Sequence, residues 1–191
     1  MSTRGVYGFR VDGKDFVTYN HSDSYPRGLG EGILKDFKVL FKSHTINELK
    51  NKVRQIKLVD NHIKPAEQDI KNLALYTDLD VSNRSTKDWY CLTYKLQGDL
   101  LAHIQSGYML DEAKFLLRSL YCEWAYIINL DEETFEAYKG FIRSKGDGRY
   151  DSRQSLGSES SEYFGVKLII AYPFFLAISL ESITALIDFF V

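Results

Sequence analysis

Val6-Tyr7-Gly8-Phe9-Arg10-Val11-Asp12-Gly13-Lys14-Asp15-Phe16-Val17-Thr18-Tyr19 is the stretch on which the fold turns. Two runs rich in β-branched and aromatic residues flank an Asp-Gly pair, and that arrangement predicts a β-hairpin. The hairpin runs straight into Asn20-His21-Ser22-Asp23-Ser24-Tyr25-Pro26-Arg27-Gly28-Leu29-Gly30, a segment dense in turn formers.

Beyond it the period changes to that of helices. Ile33, Leu34, Phe37, Leu40 and Phe41 predict a helix over 31–42. Thr45 and Glu48 are spaced as a capping box for a second helix carrying Ile46, Leu49, Val53 and Ile56. Pro65 suits the first turn of a third, with Ile70, Leu73 and Ala74 inward. Ser85 is placed to cap a fourth, in which Trp89, Leu92, Leu96, Leu100 and Ile104 keep helical spacing across Gly98; Asp111 is placed to cap a fifth through Phe115, Leu116 and Leu120.

Strand period then returns. Trp124, Tyr126, Ile128 and Leu130 alternate with Ala125, Ile127 and Asn129, a turn follows at Asp131–Thr134, and residues 135–141 read as the partner. Residues 144–162 form a polar stretch expected to be the most mobile interior segment. A last strand is expected at 163–172, ended by Pro173, and a closing helix at 176–190. Strands at both ends of a helical middle predict a single α+β domain over 1–191: an antiparallel sheet of about five strands packed against helices.

The totals narrow the function. With 24 basic and 26 acidic residues the net charge is -2, which argues against a dedicated DNA binder. Cys91 and Cys122 cannot make a disulfide framework and read as core thiols. The start has no apolar signal-peptide core, and the uncharged run from Leu168 to Leu180 falls short of the roughly 20 residues a membrane span needs. No membrane association and a cytoplasmic location are the expectation, the host cytoplasm if the protein is viral. The apolar end, Phe189, Phe190 and Val191, is expected to pack on the sheet or to join a second copy in a homo-oligomer.

The chemistry concentrates between Tyr19 and Gly30. Backbone amides at a helix start carry partial positive charge, so Gly28 and Gly30 ahead of a helix suit a phosphate or carboxylate. Arg27 or Arg4 would neutralise that anion, and Asn20, His21, Asp23, Ser24 and Tyr25 would fix the rest of a small, nucleotide-like ligand in the main pocket. The plain structural alternative is a strand-to-helix turn in which Asp23 or Ser24 bonds its own backbone. No cofactor is implied. His21, His44, His62 and His103 share no metal-ligand spacing, and Gly146–Asp151 lacks the ligands of a calcium loop. Trp89, Tyr90 and Tyr94 read as core and rim rather than as a platform for bases.

Thr3-Arg4-Gly5, the hairpin, and then Tyr19-Asn20-x-x-Asp23-Ser24-Tyr25-Pro26-x-Gly28-Leu29-Gly30 resemble the opening of an uncharacterised family found in phages, bacteria and fungi. Glu123 to Asp131 is similar to that family's second recognisable stretch. The family has no settled activity, so the resemblance implies the fold and marks the segment without supplying a reaction. A phage origin would imply a role against host defence, such as sequestering a nucleotide signal. Two other function classes stay open. One is a hydrolase resembling the N-terminal-nucleophile enzymes, with Ser2 exposed by removal of Met1. The other is an interaction module that blocks a partner protein.

Overall fold

In the computed structural model the opening hairpin forms as its sequence dictates. Strands β1 (Gly5–Val11) and β2 (Lys14–Asn20) pair antiparallel from Gly5↔Asn20 to Val11↔Lys14, which leaves Asp12 and Gly13 as the turn. Both turn residues have positive φ, 53° and 73°, the combination that follows the twist of the flanking strands. Their amides donate to the Asp131 carboxylate at 2.9 and 2.8 Å, and Arg54 holds Asp12 through contacts of 2.8 and 2.9 Å. The far end of the sheet is thereby tied to a second turn and to a helix.

The structure describes residues 3–151 and 163–182. After the hairpin come α1 (Glu31–Ser43), α2 (Ile46–Arg54), β3 (Lys57–Val59), α3 (Glu67–Asn72), α4 (Trp89–Thr93), α5 (Leu100–Ser106) and β4 (Tyr108–Leu110). Strands β5 (Trp124–Asn129), β6 (Thr134–Lys139) and β7 (Lys167–Pro173) follow, and then the four-residue helix α6 (Phe174–Ala177). The two hairpins and the last strand join one five-stranded sheet of order β2-β1-β5-β6-β7. This is the α+β fold the sequence predicts. The sheet is mostly antiparallel; its central pair, β1 with β5, is parallel, because the whole helical middle lies between them as a crossover.

Period two sorts the strand residues onto two faces. Tyr7, Phe9, Tyr126, Ile128 and Phe135 face Ile33, Leu34 and Phe37 of α1 and Leu49 and Val53 of α2. Phe37, Phe41 and Phe174 close that layer with ring centroids 4.5–4.9 Å apart. Each such ring removed from water contributes roughly 1.5–3 kcal/mol. Val6, Val17, Ala125, Ile127 and Tyr138 lie on the other face, under Leu116, Cys122 and Val166. Both cysteines are free and buried, and burial raises the Cys122 thiol far above its usual range.

The Thr45–Glu48 capping box forms, with Thr45 N–H donating to Glu48 at 2.7 Å and Glu48 N–H donating to Thr45 Oγ1 at 3.3 Å. Elsewhere local chemistry overrides period. The expected fourth helix breaks in two. Asp88 rather than Ser85 caps α4, accepting from Tyr90 N–H at 2.9 Å. Gly98 then turns left-handed at φ 81°, and three acceptors hold the break open. The Tyr7 hydroxyl accepts from Gly98 N–H at 2.7 Å, Asp36 from Leu100 N–H at 2.9 Å, and Asp99 from Ala102 N–H at 2.8 Å. The expected fifth helix is a 3₁₀ turn, Ala113–Leu117, and Ala74 is exposed rather than inward. The parallel pair β3–β4 was not legible in three-residue runs. Of the expected polar loop, residues 152–162 lie outside the described residues, as do Ser2 and most of the expected closing helix, including the apolar end at Phe189 to Val191. No described helix is long and apolar enough to cross a membrane.

Candidate functional site

The turn after β2 folds into itself. The Asn20 amide donates to Ser24 Oγ at 2.9 Å and to the carbonyl of Ser22, and Ser24 is fully buried. Ser24 N–H donates to Thr3 O at 3.1 Å, and the buried Tyr126 hydroxyl donates to Ser24 O at 3.1 Å. Asp23 takes a left-handed conformation, φ 55°, which aims its carbonyl back at Leu29 N–H, 2.8 Å away. A Cβ at Gly28 would stand 2.2 Å from that carbonyl oxygen, so no larger residue fits there.

Pro26–Gly30 is one π-type turn that continues into α1. Gly28 N–H donates to Tyr25 O at 3.0 Å, and Glu31 N–H donates to the carbonyls of Gly28 and Pro26. The amides expected to meet an anion are therefore engaged within the turn. Asp23, Tyr25 and Arg27 lie at the surface, while Gly28 packs against the Asp23 backbone and Gly30 against the Tyr126 ring.

His21 of this turn lines a cavity. With Tyr19, Val81, Ser82, Tyr90 and Tyr94 it walls an open groove of about 450 Å³ along the edge strand β2. Tyr19 Oη and His21 Nδ1 are 3.0 Å apart, and their rings meet edge-on. Tyr90 and Tyr94, one turn apart, have centroids 5.6 Å apart. The wall at Ser82 is held in place: Ser82 (φ 47°) donates to Asp88 at 2.8 Å, and Asn83 donates to the same oxygen at 3.1 Å. Burial opposes ionisation of Asp88, yet the donors Ser82, Tyr90 and Asn83 hold its carboxyl below the usual range. One carboxylate thus caps α4 and fixes the groove's rim.

Outside the groove, next to Tyr19, the surface carries two guanidiniums. Phe115 packs edge-on against Tyr19, centroids 5.3 Å apart. The guanidinium of Arg4 lies 5.3 Å from the centre of the Tyr121 ring, and that of Arg118 lies 5.7 Å from the same ring. Neither guanidinium has an ion-pair or hydrogen-bond partner among the described residues. Arg10, Arg54 and Arg149, by contrast, are paired with Asp15, Asp12 and Glu136. Burial raises the Tyr19 phenol above its usual value, and the nearby Arg4 charge works against that rise.

No family model matches the chain, and neither a curated protein nor a solved structure matches it. Of the residues singled out in the sequence, His21 lines the groove and Arg4 lies beside it, near Tyr19, while Asn20 and Ser24 face inward as structural ties. Arg118 and Tyr121 escaped sequence reasoning, because they come from separate elements brought to the β2 edge by the crossover, and Tyr90 and Tyr94, read there as rim, line the groove. The one legible hint was Tyr90 and Tyr94 at a four-residue spacing. Among the described residues no group of three His, Cys, Asp or Glu side chains could hold a metal ion.

Proposed function

We propose that this chain is a small-molecule binding protein for an anionic, nucleotide-like ligand, held in the groove beside β2. The observation that carries the reading is the pair of guanidiniums, Arg4 and Arg118, gathered on one tyrosine ring without an ion-pair partner among the described residues. Two like charges so placed repel each other, and an anion between them relieves that cost. The adjoining phenols and imidazole offer a planar base stacking surfaces, each worth roughly 1–3 kcal/mol. In a virus such a protein would serve to sequester a nucleotide signal of the host.

The Tyr19–His21 contact favours a second reading, in which the pair acts on a bound phosphoester. Burial raises the Tyr19 phenol and so disfavours the phenolate that a base or nucleophile would need, and we assign the pair to recognition. Calorimetric titration with a panel of nucleotides and cyclic nucleotides tests both. Binding should weaken about ten- to a hundredfold in Arg118→Ala, as expected for a charge-assisted contact worth roughly 1.5–3 kcal/mol, and Tyr90→Ala should weaken it as well. Heat from none of the panel removes the proposal, and a hydrolysed product converts it to the enzyme reading.

A further inference from the structure

The groove is one of two cavities that meet at the Tyr19–Phe115 contact. Across it lies a cleft of about 370 Å³ whose wall includes Asp60, His62, Glu112, Lys114, Phe115 and Arg118. Its position follows from the small parallel pair. Strands β3 and β4 end together at Val59↔Leu110, so the next residues, Asp60 and Asp111, emerge side by side at the strands' carboxyl ends. Asp111 N–H donates to Val59 O at 2.9 Å and locks that register.

The cleft is rich in unused acceptors. Asp60 Oδ1 receives His62 N–H at 2.8 Å and Asp111 Oδ1 receives Ala113 N–H at 3.1 Å; among the described residues the second oxygen of each accepts nothing. The half-buried Glu112 carboxyl has no hydrogen-bond or ion-pair partner among the described residues either. Burial, with Asp111 and Asp60 nearby, raises it above the usual carboxylate range, although Arg118 acts in the other direction. The three carboxyls share the opening with Lys114 and Arg118, and their unused oxygens suit hydroxyl or amine donors.

Resting on the nucleotide reading above, we infer that the ligand is bipartite. Its base lies in the groove of Tyr19, His21, Tyr90 and Tyr94, and its single phosphodiester lies by Arg4 and Arg118. A second, hydroxyl-bearing nucleoside reaches over Phe115 into the cleft of Asp60 and Glu112. The shared residues fix this order: Phe115 belongs to the cleft and touches Tyr19 of the groove, while Arg118 lines the cleft and shares Tyr121 with Arg4.

The test is calorimetric titration of the full chain with the four common ribonucleoside 5′-monophosphates and the four 3′,5′-linked homodinucleoside monophosphates. The same titrations are made on Glu112→Ala and Asp60→Ala. At least one dinucleoside monophosphate should bind tenfold or more tightly than its mononucleotide. Either variant should remove that advantage while mononucleotide binding persists, which also shows that the variant is folded. Equal affinity for the two ligand classes, or a variant that weakens both alike, overturns the inference and spares the nucleotide reading. Binding of neither class overturns both.

Discussion

Tyr7→Phe removes one oxygen atom from a fully buried point of the fold, and the loss can be worked from its partners. The ring is fully buried in the centre of β1. Its hydroxyl accepts Gly98 N–H at 2.7 Å and lies 2.9 Å from His103 Nε2 and 3.0 Å from Leu96 O. His103 Nδ1 faces the Tyr108 carbonyl at 2.8 Å. A carbonyl only accepts, so Nδ1 carries the ring proton and Nε2 is the acceptor for Tyr7. Phenylalanine keeps the packing and leaves both the Gly98 amide and His103 Nε2 without this partner. An unsatisfied buried group costs about 1–3 kcal/mol, so urea unfolding at neutral pH should show a loss of about 2–4 kcal/mol. The helical break at Gly98 should also exchange its amides faster. A loss below about 0.5 kcal/mol, with unchanged exchange at Gly98, would refute the view that Tyr7 holds the break open.

The same imidazole sets a pH dependence. Burial lowers His103 from 6.5 to about 4, so the unfolded chain binds the extra proton first. Stability should therefore fall as pH drops from about 6.5 to 4, by roughly 3 kcal/mol. Asp36, raised to about 6 by burial, opposes this over an overlapping window, because there the folded state takes the proton first. Urea midpoints of wild type and His103→Gln between pH 7.5 and 4.5 check the balance, and identical slopes for the two proteins would count against it. On the opposite sheet face, Glu136 is almost fully buried and receives Arg149 at 2.6 and 3.0 Å, Tyr138 Oη at 2.7 Å and Asn129 Nδ2 at 2.8 Å. Arg149→Met should cost about 3–5 kcal/mol by leaving that carboxylate uncompensated. Glu136→Gln in the same background should recover part of it; no recovery would show that the loss has another cause.

The hairpin, the capping box at Thr45 and the strand at Trp124 were legible because each is decided by residues within a few positions of one another. Gly98 shows the limit of such reading. Leu92, Leu96 and Leu100 keep helical spacing, but the chain breaks because Tyr7 and Asp36, far away in sequence, supply acceptors for its amides. The Asn20–Gly30 turn shows it in the other direction. Its polar residues look like a binding loop, yet Asn20, Ser24 and the amides of Gly28 to Glu31 satisfy one another and the neighbouring chain. The candidate groove was hidden because Tyr19, Tyr90, Tyr121, Arg4 and Arg118 lie on separate segments, and only the β1–β5 crossover brings those segments to one edge.

Chemical-shift mapping reads directly where a nucleotide meets this chain. Titration with a ribonucleoside monophosphate should move the ring protons of Tyr19, Tyr90 and Tyr94 and the Nε–H signals of Arg4 and Arg118, with the amides of Gly28 to Glu31 unmoved. Shifts concentrated at Gly28 to Glu31, or none at all with any of the four bases, would contradict it.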